Sequence, residues 1–281
     1  KYLWSPIVDN FKLPILEKMG HRRSWLFFAQ VMIIICLIAT SLTDPAQGLI
    51  FTAITITSLA IFSATQDIVI DAYRIESAPQ KLQGPLSSMY IAGYRLAMLV
   101  SGAGSLWLAS YLGSETYNQH VWQIVYLTMA SLMCVGIVTT IFSDEPKIKK
   151  DNFLSINQHT KFLLAFILAL LGFIFLYSFI QNPFAKNQIL KIFIFSITKI
   201  ILCFIFAGSI IFLLIKTKFI SKEKITKIYL DPINNFTKRY GKFAFTILLL
   251  IGLYRIADIV MGVVANIFYL EKGFNIADIA T

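Results

Sequence analysis

Charged residues are scarce in this sequence: Asp, Glu, Lys and Arg together make 14% of its 281 residues, where a soluble domain carries roughly a quarter. With 57% hydrophobic residues and a mean hydropathy of +0.71, the chain has too little polar surface to close a water-soluble globule. Cysteine is rare as well. Cys36, Cys134 and Cys203 fall in apolar stretches without paired spacing, which excludes a disulfide framework and leaves small packing residues. His21, His120 and His159 are scattered through connecting segments with no partners at ligand spacing, so neither a metal nor another cofactor is expected. No charged n-region, apolar h-region and cleavage site precede the first long apolar run, so no signal peptide is expected and the chain reads as an internal piece of a longer protein. The Gly-rich re-entrant filter of a channel is missing. So are the converging nucleophile, paired catalytic carboxylates or metal cluster of a membrane enzyme.

What the sequence has is long apolar runs. A bilayer core about 30 Å thick needs about 20 apolar helical residues, and seven stretches meet that length, near 24–43, 49–72, 85–112, 121–142, 162–181, 190–215 and 243–269. Polar punctuation separates them: Thr43-Asp44-Pro45, Gln80 to Gly84, Ser114 to Gln119, and Asp144-Glu145-Pro146. The expected fold class is an all-α polytopic membrane protein with about seven transmembrane helices.

The net charge of +10 would point to nucleic acid if the cations lined a polar face, but they sit in short clusters between apolar runs. Segments 1–24, 73–84, 143–161 and 216–242 hold 19 of the 25 Lys and Arg residues, whereas the alternate connections 44–48, 113–120, 182–189 and 270–281 hold 2. By the positive-inside rule the first set faces the cytoplasm. The eight basic residues of 216–242 read as a topogenic loop, with an anionic-lipid or partner patch as the competing reading.

Ionisable groups inside a span are costly without a partner or a wet cavity, which makes them the default functional candidates. In the second span Ser63, Asp67 and Asp71 recur every four residues and share one helix face. Asp67, preceded by Gln66, lies about 27 Å along a helix starting near residue 49 and is placed to exchange protons or meet substrate. Asp71 sits at the interface, where Arg74 one turn on can pair with it in a gate. Arg95 is about 15 Å from the inner end of the third span and needs a carboxylate, an anionic substrate group or water. The same span carries Gly93, Ala97, Ser101 and Ser105, a small-residue seam that admits a close neighbouring helix. In the last span Arg255 and Asp258 are spaced to neutralise each other or to frame a cavity. Lys199 reads as a snorkelling lysine.

The tracts YLWSPIVDNF (2–11), GHRRSW (20–25), SATQDIVIDAYRIE (63–76), GYRLAMLVSG (93–102) and LYRIADIV (253–260) resemble the AmpG muropeptide permease family of the major facilitator superfamily. Related acetyl-coenzyme A transporters share a tract similar to QDIVIDAYR. The resemblance implies a bundle of two six-helix halves working by alternating access around a midplane site. Residues 1–146 would then supply the loop and helices 3 to 6 of the first half. Residues 147–230 would be a cytoplasmic connector with two extra spans, and 231–281 the start of the second half with a seventh-helix equivalent.

The resemblance also implies that Asp9, Arg22 and Arg23 brace the inner gate, although Asn10 stands where a basic residue commonly follows the Asp. It implies anhydro-muropeptide as cargo, imported with protons through a multi-pass protein of the bacterial inner membrane, with no enzymatic activity. An acetyl-coenzyme A or other anionic-metabolite carrier is the runner-up. With five helices of the second half expected but absent, the chain is expected to be a fragment, either needing a second chain or vestigial.

Overall fold

The computed structural model describes residues 1–113, 117–146, 156–184 and 188–274. Among these the ordered elements are helical: α1 (Ser5–Asn10), α2 (His21–Ser41), α3 (Leu49–Ser77), α4 (Gln83–Ser101), α5 (Ala103–Tyr111), α6 (Gln119–Phe142), α7 (Ile156–Phe179), α8 (Ile189–Lys216), α9 (Lys222–Ile225), α10 (Asp231–Tyr240) and α11 (Phe243–Glu271). A 3-10 turn at Pro14–Met19 precedes α2, and a π-helical turn at Thr226–Leu230 precedes α10. Six stretches of the described residues are long and apolar enough to span a bilayer: His21–Ser41, Leu49–Ser77, Gln80–Tyr111, Gln119–Phe142, Thr160–Phe179 and Ile189–Lys216. They coincide with the first six expected spans. The seventh expectation falls on α11, whose described apolar stretch runs Phe243–Ile256.

The chain forms two compact units: residues 1–8, 12–151 and 242–281, and residues 9–11 and 152–241. In the first, α2 is the hub and packs along both α3 and α6. Its buried positions Arg22, Leu26, Ala29, Ile33, Cys36 and Thr40 recur every three or four residues and form the stripe that a packed helix requires. Lipid is as apolar as a leucine side chain, so packing and hydrogen bonds rather than water exclusion hold such helices together. The Thr140 hydroxyl of α6 donates to Gln30 Oε1 across the α2–α6 contact at 2.9 Å, fully buried. Gly136 makes room for it, since a Cβ there would lie 3.3 Å from Gln30 Nε2.

The third expected span is not one helix. It bends at Gly102 into α4 and α5, with φ −83° and ψ −79°. Every residue from Ile91 to Gly102 is exposed. Gly93, Ala97 and Ser101 of the expected seam are exposed and Ser105 is half-buried; a Cβ on Gly93 would meet nothing within 4 Å.

In the second unit α7 and α8 form an antiparallel hairpin. Ala165 and Ala169 are buried on α7, and Gly172 continues their line, where a Cβ would come within 2.2 Å of Ile210 Cδ1. Three small residues thus bring α8 close, and Phe173 packs against Phe204 at 5.0 Å between ring centroids. Replacing Gly172 by Val is expected to wedge the hairpin apart at a cost of about 1–3 kcal/mol, read as a lower unfolding midpoint in mild detergent. Lys199 places Nζ 3.8 Å from the centroid of the Tyr177 ring, a cation–π contact that gives this lysine a partner on α7.

Candidate functional site

One end of the first unit gathers charges from three helices. Gly20 has φ 93°, a left-handed conformation that favours glycine, and it starts α2 at His21. Its missing side chain matters a second time, because a Cβ on Gly20 would fall 2.5 Å from Glu145 Cδ. The Glu145 carboxylate sits in that space and accepts from the backbone N–H of Arg22 at 2.8 Å and of Arg23 at 3.0 Å. An anion at the positive end of a helix is stabilised by the dipole and by otherwise unpaired amides.

The two arginines then diverge. Arg22, with its side chain 3% exposed, grips Glu76 at the end of α3 through a two-pronged pair: Nε to Oε2 at 2.8 Å and Nη2 to Oε1 at 2.6 Å. That geometry is the strong form of an arginine–carboxylate contact. Arg23 instead donates through Nε to the Thr140 carbonyl at 3.1 Å and through Nη2 to the Ile141 carbonyl, occupying acceptors that the end of α6 leaves open. The Tyr73 hydroxyl of α3 donates to the Asp144 carbonyl at 2.6 Å. A cleft of about 670 Å³ lined by Tyr73, Glu76, Asp144 and Glu145 opens beside this cluster.

Ser63, Asp67 and Asp71 share a face of α3, as expected, away from the buried Thr65, Ile68 and Val69. Gln66 is half-buried beside them. Asp67 pairs with Lys1 Nζ at 2.7 Å and its side chain is 38% exposed, and the neighbouring Trp4 indole donates to Thr65 Oγ1 at 2.9 Å. Arg74 is 3.8 Å from Asp71, but its stronger contacts are a hydrogen bond to Ser87 Oγ at 2.6 Å and the Tyr90 ring at 5.1 Å; these brace α3 to α4. Arg95 is exposed on α4, and the structure brings no described carboxylate to it. Arg255 is exposed on α11, while the side chain of Asp258 lies outside the described residues. Asp9 is half-exposed near the end of α1, in the second compact unit. Among the described residues no group of three or more His, Cys, Asp and Glu side chains can hold a metal.

The sequence model of the Major Facilitator Superfamily matches residues 3–276. The chain belongs to that superfamily. Among its relatives, the AmpG 4 protein of Rickettsia felis is 29% identical over 280 residues, which cover 100% of this chain and 50% of that protein. The AmpG 3 protein of Rickettsia prowazekii is 32% identical over 198 residues, 63% of this chain and 44% of that protein. The anhydromuropeptide permease of Escherichia coli is 36% identical over 147 residues, 52% of this chain and 28% of the permease. The chain thus spans about half the length of the curated relatives it matches. No solved structure matches it.

Within this superfamily member, the resemblance implies a gate role for Arg22 and Arg23 but does not say what they hold. Glu76 closes the tract SATQDIVIDAYRIE, and Glu145 stands in the punctuation after the fourth span. The available signal was charge balance, since a basic loop facing buried helix ends needs carboxylates, and these two end α3 and follow α6.

Proposed function

We propose that this chain is part of a proton-coupled importer of anhydro-muropeptides in the bacterial inner membrane, serving peptidoglycan recycling. The observation that carries the reading is the Arg22–Glu76 pair with Arg23 and Glu145. Together they clamp the inner ends of α2, α3 and α6, which is what a transporter needs to hold its cytoplasmic side closed while the outer side is open. The relatives that share these helices include a protein named for anhydromuropeptide permeation, and this supplies the cargo class.

In this reading residues 1–146 belong to the first helical half, 147–230 to a connector carrying α7 and α8, and 231–281 to the start of the second half. Asp9, Arg22, Arg23, Asp71 and Arg74 take the gating role. Asp67 and Gln66 take part in proton exchange, and Arg95 receives a substrate carboxylate. Arg255 and Asp258 line the pathway on the other half, and a second chain or flanking sequence supplies the remaining helices.

The test is uptake of labelled anhydro-muropeptide into energised vesicles holding the chain with its flanking helices restored. Uptake that a protonophore abolishes is the expected result, and its absence despite verified insertion overturns the cargo. Asp67→Asn is expected to reduce accumulation about a hundredfold or more while leaving insertion intact, the lower end of what one positioned proton-transfer group contributes. Unchanged accumulation removes Asp67 from the mechanism.

A further inference from the structure

The segment between α8 and α11 is the most cationic part of the chain, with eight Lys and Arg against Glu223 and Asp231 between residues 216 and 242. Lys216, Lys218, Lys222, Lys227, Lys238 and Arg239 are all exposed. Its path is unusual for a solvated loop. The chain leaves α8 through Lys218 in the left-handed region, φ 58°, and at once buries Ile220 to 7% exposure.

Two contacts then fix its depth. Tyr229 stacks on Phe162 with centroids 5.8 Å apart and an interplanar angle of 10°, and Phe219 receives Lys161 Nζ over its ring at 5.6 Å. Phe162 is the third residue of the apolar stretch Thr160–Phe179, so these contacts hold the segment at the inner boundary of the membrane-spanning hairpin.

On α10, Ile233, Phe236 and Tyr240 fall at spacings of three and four and form one apolar stripe, with Phe236 and Tyr240 rings 4.8 Å apart. Asp231, Asn235 and Lys238 lie on the opposite side. Arg239 flanks the stripe, its guanidinium 5.6 Å from the Tyr240 ring. Ile233 and Tyr240 are 45% and 40% exposed, and among the described residues α10 packs chiefly on the π-helical turn that precedes it.

We infer that 217–240 is a binding site for the anionic phospholipid headgroups of the inner leaflet, with α10 lying in the membrane plane. Its apolar stripe faces the acyl boundary, and Lys227 and Arg239 engage lipid phosphates. The choice of occupant follows from charge and depth: a basic segment pinned at headgroup level meets a negative lipid surface before it meets any soluble partner.

The test uses the full chain in nanodiscs, with Cys36, Cys134 and Cys203 replaced by alanine and a single cysteine introduced as Ile233→Cys or Asn235→Cys. In discs containing about one third phosphatidylglycerol, Ile233→Cys is expected to react with a membrane-impermeant maleimide at least tenfold more slowly than Asn235→Cys. Lys227→Gln with Arg239→Gln is expected to shrink that difference about tenfold, as are purely zwitterionic discs. Salt at 1 M, which shortens the screening length to about 3 Å, acts in the same direction. Equal reactivity of the two cysteines in anionic discs overturns the in-plane placement. An equal difference in zwitterionic discs overturns the lipid selectivity.

Discussion

Replacing Glu76 by glutamine is expected to destabilise the first unit by about 2–3 kcal/mol, because it leaves the Arg22 guanidinium buried without its counter-charge. Arg22 is 3% exposed and Glu76 17%, so water can compensate little on the arginine side. The double variant Arg22→Gln with Glu76→Gln is expected to be less unstable than the sum of the single changes, since neither side then strands a charge. Thermal unfolding of the three variants in mild detergent reads the coupling. Additive effects would mean that the pair contributes little. The same loss is expected to raise the reactivity of a cysteine placed at Ser143, which lines the cleft beside Glu76, by about tenfold if the inner ends part.

The second large effect is expected at Gly20. Alanine there meets both a left-handed φ of 93° and the Glu145 carboxylate, whose Oε2 lies 2.7 Å from the new Cβ. Strain and expulsion of the helix-capping anion together are expected to cost about 2–3 kcal/mol. Glu145→Gln keeps the acceptor oxygen but removes the charge, so about 1 kcal/mol is expected. In the Gly20→Ala background the Glu145→Gln change is expected to cost almost nothing more, because the cap is already displaced. A full extra penalty in unfolding measurements would show that Glu145 acts elsewhere.

The spans were legible because twenty-residue apolar runs leave few alternatives in a bilayer. The bend at Gly102 was not, since Gly93, Gly102 and Gly104 share that run and nothing in their spacing says at which of them, if any, the helix breaks. Arg22 and Arg23 stood out as a pair, but their partners are 54 and 123 residues away in sequence. Local spacing gives no access to contacts of that range. For Asp67, helix rise gives the depth along α3, whereas the contact with Lys1, 66 residues away in sequence, and the 38% exposure of its side chain come only from the packing around it. The small-residue seam of Gly93, Ala97, Ser101 and Ser105 follows from spacing, and spacing names a surface without naming its neighbour.

Neighbouring arginines that hold different helices have a mechanical consequence. Arg22 is fastened to the end of α3 and Arg23 to the end of α6, while one peptide bond joins the two residues. The start of α2 therefore acts as a yoke, and a movement that leaves these bonds intact must swing those ends of α3 and α6 as a single lever.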